Sequence, residues 1–127
     1  MSPVIWPLMR GRVYAARLSH LDEDEYFLVV SNNQRNRHLT QELAVRLTTS
    51  PKPDLDSIVE LGPREVFTGR VVCDDVIEIW EDEVRRDLGA LSRAAMDAVA
   101  RGLCAALGIS TVGVLARPRC RCDVSSV

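Results

Sequence analysis

The chain lacks the usual marks of a metal module: it has no CxxC pair and no histidine at zinc-finger spacing from any of its four cysteines, Cys73, Cys104, Cys120 and Cys122. Cys73 sits in an apolar run and Cys104 in a helical one, where buried thiols are common. Cys120 and Cys122 read as free thiols in a loose tail, with metal chelation or oxidation as the alternative. No apolar run approaches the roughly 20 residues that a membrane helix needs. Residues 1–9 lack the basic start and apolar stretch of a secretory signal, so no membrane is involved and a cytoplasmic location is expected. A net charge of −2 excludes a generally basic nucleic-acid binder but leaves a local patch possible. There are no internal repeats.

What is present is an ordinary soluble composition, 46% hydrophobic and 27% charged, in 127 residues. That is one domain with enough chain to bury a core. The organising stretch is Glu25–Ser50. Tyr26–Ser31 is nearly all apolar, as expected for a strand covered on both faces. Leu43–Thr49 alternates, with Leu43, Val45 and Leu47 pointing one way and Ala44, Arg46 and Thr48 the other. Asn32–His38 is a polar connection between them. Arg46 and Thr48 therefore mark the most promising polar working surface.

Along the rest of the chain, residues 1–9 carry Pro3 and Pro7 and read as an N-terminal arm. A strand is expected over Val13–Leu18, followed by a solvated acidic turn through Asp22–Glu25. Further strands are expected at Ser57–Leu61, Arg70–Cys73, Val76–Trp80 and Val84–Leu88, with Asp74-Asp75 interrupting the middle pair and Glu81–Glu83 forming a polar turn. Ser92 is a natural N-cap for the one convincing helix, and Gly108 ends it. Met96, Val99, Leu103 and Leu107 form its apolar stripe, and Arg93, Asp97 and Arg101 an ion-paired wet face. Residues 110–127 form a tail. This order suits a small twisted barrel of about five to seven short strands with a C-terminal helix packed on it.

The combination Arg10–Tyr14, Leu28–Asn33 with Asn36-Arg37, Leu47–Ser50, Val71–Val76 and Arg85–Leu91 before an Ala/Leu-rich helix resembles the MazF/PemK toxins of type II toxin-antitoxin systems. The resemblance covers residues 10–109. It implies a PemK/CcdB-type SH3-like barrel, a homodimer, a cognate antitoxin protein as partner, and metal-independent, cofactor-free cleavage of single-stranded RNA. In that reaction the 2′-hydroxyl attacks the adjacent phosphate, leaving a 2′,3′-cyclic phosphate and a 5′-hydroxyl. A base, an acid and donors for the phosphorane charge are required.

Carried onto this chain, the family's strand-end threonine falls on Thr48, with Thr49 beside it. The basic residue usual before the second strand aligns with Glu25-Tyr26, a second basic position falls on Ile77, and Asp75 stands where glutamine is usual. Glu25, as a general base, and Arg46, about two residues or roughly 7 Å from Thr48 along the strand, complete the candidate catalytic set with Thr48. Arg35, Asn36, Arg37, Thr49 and Arg17 are the candidate RNA-binding residues. His38 is a conceivable acid or base, though a lone loop histidine is more often simply exposed. Two other readings stand beside the ribonuclease. One is a same-fold toxin that binds a protein such as DNA gyrase; the other is a catalytically inactive regulator, which the acidic Asp22–Glu25 loop favours by opposing RNA.

Overall fold

A computed structural model describes residues 4–110. The elements are β1 (Arg12–Ala16), β2 (Glu25–Val29), a one-turn helix α1 (Asn33–Asn36), β3 (Gln41–Thr48), β4 (Ile58–Glu60), β5 (Arg70–Trp80), β6 (Val84–Ala90) and α2 (Arg93–Leu107). All strand pairs are antiparallel, in the order β4-β5-β3-β2-β1-β6. Six strands fall within the expected five to seven, and the C-terminal helix is packed on them as expected. The edge strands β4 and β6 do not pair with each other, so hydrogen bonding does not close the sheet into a ring.

Both faces of the central strands are buried, which explains the unbroken apolar run of β2. Tyr14 and Ala16, Phe27 and Val29, Ala44, Ile79 and Val84 form one core. Val13, Leu28, Val45 and Leu47, Val71 and Cys73 alternate onto the other, with Leu91 and Val99. Each such large side chain contributes about 1.5–3 kcal/mol on burial. The helix α2 covers the second core. Residues of the N-terminal arm cover the first: Leu8 is fully buried, Val4 packs against that core, and the Met9 N–H donates to the Tyr14 hydroxyl at 3.0 Å.

Ser92 caps α2 as expected, its hydroxyl accepting from the Ala95 N–H at 3.1 Å, and Gly108 ends the helix in the left-handed region with φ of 70°. The apolar stripe differs at its end. Val99, Met96 and Leu103 pack inward with Ala95 and Ala106, but Leu107 is 63% exposed, beyond the reach of the sheet. Arg93, Asp97 and Arg101 are exposed as expected, yet no ion pair joins them. The close seat of α2 depends on buried Gly102, where a Cβ would lie 2.8 Å from Cys73 Sγ and 3.1 Å from Val59 Cγ2.

Two further corrections concern strands. Asp74-Asp75 does not break β5, which runs continuously from Arg70 to Trp80. Instead, Arg46 pairs with Val72 and Val45 with Val76, so Cys73, Asp74 and Asp75 form a bulge with no residue opposite them. The helical turn α1 inside the Asn32–His38 connection was also not anticipated. The Cys120/Cys122 tail lies outside the described residues.

The row that carries Ala44 and Arg46 begins with Glu42, which is fully buried with neither carboxyl oxygen hydrogen-bonded. Burial first, then the negative charge of Glu81, pushes its pKa up to about 8, against the pull of Arg35. The folded protein therefore holds a proton that the unfolded chain releases near 4.5. Stability from this group is present at low pH and declines between about pH 4.5 and 8, at up to about 1.4 kcal/mol per pH unit. Glu42→Gln is expected to flatten this dependence, gaining urea midpoint over the wild type at pH 8 relative to pH 5. Gly102→Ala is expected to lose about 1 kcal/mol in the same urea titration, because overpacking against Cys73 outweighs alanine's helix propensity.

Candidate active site

At the end of the sheet where β2 begins and β3 ends, the first core opens into a cleft of about 260 Å³. Phe27 of β2 and Ile77 of β5 form its apolar floor, and Glu25, Arg46 and Asp75 supply its charge. The β1–β2 loop supplies Leu18, His20 and Leu21. Arg46 faces the cleft because it follows Ala44 by two residues on the same side of β3. The β5 bulge swings Asp75 beside it: Arg46 Nε donates to Asp75 Oδ2 at 2.8 Å, while its Nη1 stands 4.0 Å from Glu25 Oε1. All three side chains are about one-third exposed or more, so solvent screens the pairs. The cleft is thus a cation held between two carboxylates over an apolar floor.

Thr48 ends β3 partly exposed, but it does not line this cleft; its Oγ1 accepts the Ser50 N–H at 3.1 Å. The turn it begins is braced by Arg70, whose Nη1 donates to the Thr49 and Ser50 carbonyls at 3.2 and 3.1 Å while its Nε pairs with Glu60 at 2.7 Å. Thr49 is exposed beside it. Arg70 and His20 are the residues near the site that sequence reasoning missed. Strand pairing of Arg70 with Thr48 is the signal for the first, invisible without the register. His20 lies just before the acidic turn, in a connection that carries no sequence signal for a site.

Other candidates lie elsewhere. β2 and β3 run antiparallel, so the connection between them sits at the opposite end of the sheet. Arg35, Asn36 and Arg37 lie beyond Gln41, seven residues or roughly 23 Å from Thr48. They do not join the cleft. Asn36 is 1% exposed: the Ser31 hydroxyl donates to its Oδ1 at 2.6 Å, and its Nδ2 donates to the Ser31 carbonyl at 3.0 Å. A buried amide so engaged holds the connection together. Arg35 Nη1 is bonded to the Gln41 carbonyl at 3.1 Å. Arg37 and His38 are exposed around a separate hollow with Trp6, Pro7 and Glu81. Arg17 pairs with Asp24 at 3.0 Å and faces a third hollow, with Ser19, Trp80 and Arg85. Among the described residues no group of three or more His, Cys, Asp or Glu side chains converges as a metal site. No described helix is long and apolar enough to cross a membrane.

The six-stranded antiparallel sheet with its C-terminal helix fits the toxin class that the sequence resembles, and comparison with known proteins agrees. The family model for the PemK-like, MazF-like toxin of type II toxin-antitoxin systems matches residues 9–107. The chain is 37% identical over 101 residues to Endoribonuclease MazF1 of Mycobacterium bovis and to Endoribonuclease MazF4 of Mycobacterium tuberculosis, covering 80% of this chain and 93% of each. A solved mycobacterial endoribonuclease in complex with its cognate antitoxin superposes with a TM-score of 0.76 at 36% identity, over 81% of this chain and 97% of that one. A MazE–MazF complex from Deinococcus radiodurans, at 19% identity and a TM-score of 0.69, shares the fold. The chain belongs to the PemK-like, MazF-like toxins of type II toxin-antitoxin systems.

The relocation of Asn36 is checked by Asn36→Ala. It is expected to cost about 1–3 kcal/mol of stability by stranding the Ser31 groups, seen as a lower urea midpoint, with any RNA cleavage by the remaining folded protein unchanged.

Proposed function

We propose that this MazF-type endoribonuclease toxin cuts single-stranded RNA without a metal or cofactor, by attack of a ribose 2′-hydroxyl on the adjacent phosphate seated at Arg46. The observation that carries the reading is Arg46 itself. It is a strand-mounted guanidinium at the mouth of a cleft floored by Phe27 and Ile77, two residues from Thr48. Its Nε is committed to Asp75, which fixes the plane of the fork and leaves the terminal nitrogens for phosphate oxygens. Thr48 and Thr49 stand at the strand end, where a hydroxyl can donate to a neighbouring phosphate. Ribonuclease action on an mRNA would arrest growth, and the antitoxin-bound mycobacterial relative supports a cognate antitoxin that restrains it. A homodimer would cover exposed apolar side chains such as Val76, Leu107 and Ile109.

A second reading rests on the same cleft. Glu25 and Asp75 together outweigh the charge of Arg46, and a phosphate must displace or outbid them. That balance suits a catalytically silent regulator of the same fold.

Cleavage of a long single-stranded RNA by the purified protein in EDTA decides between them. The ribonuclease reading expects fragments with 5′-hydroxyl ends. Arg46→Ala is expected to lower the rate about 10²–10³-fold, the usual cost of removing a donor to transition-state charge. Thr48→Ala is expected to lower it about 10–100-fold, as for a hydrogen bond to a charged group. RNA left intact by the wild type would overturn this reading and favour the regulator.

A further inference from the structure

We propose that His20 is the catalytic acid of this site, donating a proton to the departing 5′-oxygen of the cleaved RNA. The inference rests on the ribonuclease reading and assigns it a group that reading leaves open.

The chemistry sets three requirements: an acceptor for the 2′-hydroxyl proton, a donor for the 5′-oxygen, and a cation for the phosphorane. Arg46 meets the third. Of the two carboxylates, Asp75 is engaged by Arg46 at 2.8 Å, whereas Glu25 stands off at 4.0 Å and is 37% exposed, which leaves it able to accept a proton. Thr48 is a hydrogen-bond donor and too weak an acid to serve as the general acid for the departing 5′-oxygen. The second requirement falls to an imidazole. The chain has two histidines, and His38 sits around the hollow at the far end of β3, whereas His20 lines the cleft.

The loop that carries His20 is fixed in place. The Leu21 N–H donates to the Leu18 carbonyl at 3.0 Å, so Ser19 and His20 are the two central residues of a tight turn. Leu18 packs against the first core, Leu18 and Leu21 both line the cleft, and the Arg17–Asp24 ion pair at 3.0 Å ties the two sides of the loop. Two apolar anchors flank an exposed imidazole at the cleft rim. A turn built only for solvation has no need to line the cleft with two half-buried leucines.

In the step, the 2′-oxygen forms a bond to phosphorus as its proton passes to Glu25. The bond from phosphorus to the 5′-oxygen breaks, and that oxygen takes the proton of the His20 imidazolium. The products are a 2′,3′-cyclic phosphate and a 5′-hydroxyl end, with a proton gained by Glu25 and one lost by His20; exchange with solvent restores both.

The test uses the full chain and an RNA oligonucleotide spanning a site first mapped with the wild type. The oligonucleotide is made with either the natural 5′-oxygen or a 5′-bridging sulfur at the scissile phosphate. A thiolate leaves without protonation, so the acid becomes dispensable. His20→Ala and His20→Gln are expected to cut the oxygen substrate at least about 100-fold more slowly than wild type and the sulfur substrate within a few-fold of it. Glu25→Gln is expected to be slow on both. Equal loss of His20→Ala on the two substrates would show a binding or positioning role and overturn the assignment, as would full activity on oxygen. An inactive wild type would instead sink the ribonuclease reading itself. His20 is exposed, so an unchanged urea midpoint confirms that the variants are folded.

Discussion

The burial of both faces of the central strands is the constraint on which the rest of the molecule depends. β2 has no wet side over Phe27–Val29, and β3 is covered on both sides at Ala44 and Val45. A sheet so buried needs two covers, and the chain supplies them from its opposite ends: Leu8 and its neighbours on one face, α2 on the other. The cleft lies where the first cover runs out. Along one row of β3, Glu42 is sealed, Ala44 is core, and Arg46 and Thr48 emerge. Position along that row decides whether a polar side chain is sealed at a cost to stability or left free to meet a ligand. Glu42 and Arg46 are four residues apart and show both outcomes.

The charge arrangement follows from the β5 bulge. Without the three unopposed residues Cys73–Asp75, β5 would continue its pairing past Val72 and the acid would lie elsewhere along the strand. With it, Arg46 is anchored through Nε before any ligand arrives. At an effective dielectric near 20, a charge pair about 4 Å apart is worth about 4 kcal/mol, reduced further by exposure here. A phosphate arriving at the proposed site would therefore meet a guanidinium already oriented by Asp75, at the expense of repulsion from Glu25 and Asp75.

Much of the fold was legible because it rests on local signals. Two-sided burial of β2, the outward row of β3, the Ser92 cap and the Gly108 stop were readable from apolar pattern and helix-end chemistry, and the structure bears them out. The site was less legible because it depends on register and on which end of the sheet a loop occupies. Arg35 and Arg37 are close to Thr48 in sequence, yet the eight residues of β3 carry the chain the length of the sheet between them. The Asn32–Asn36 segment looks polar enough for a binding surface, but its amides are spent on capping α1 and bonding Ser31. Asp74-Asp75 looked like a strand break because a bulge and a break present the same polar pair to a reader who lacks the partner strand. The resemblance named the family correctly. It could not say where this chain's own substitutions place their charge.

Those substitutions are best understood together. On the family resemblance, Glu25 stands where a basic phosphate donor is usual, and Asp75 engages part of the neighbouring cation, Arg46. Taken singly, each weakens an anion site. Taken with the loop turn at His20, they leave a carboxylate, a guanidinium and an imidazole around one small cleft, the set that the proposed transesterification would use. A fold constrains function only through the groups it presents, and this sheet presents its cleft to the β1–β2 loop, the part of the chain freest to change without disturbing either core. The acidic loop that opposes RNA electrostatically is the same loop that carries the imidazole, so on the proposed assignment weaker capture of substrate and the acid would come from a single stretch of chain.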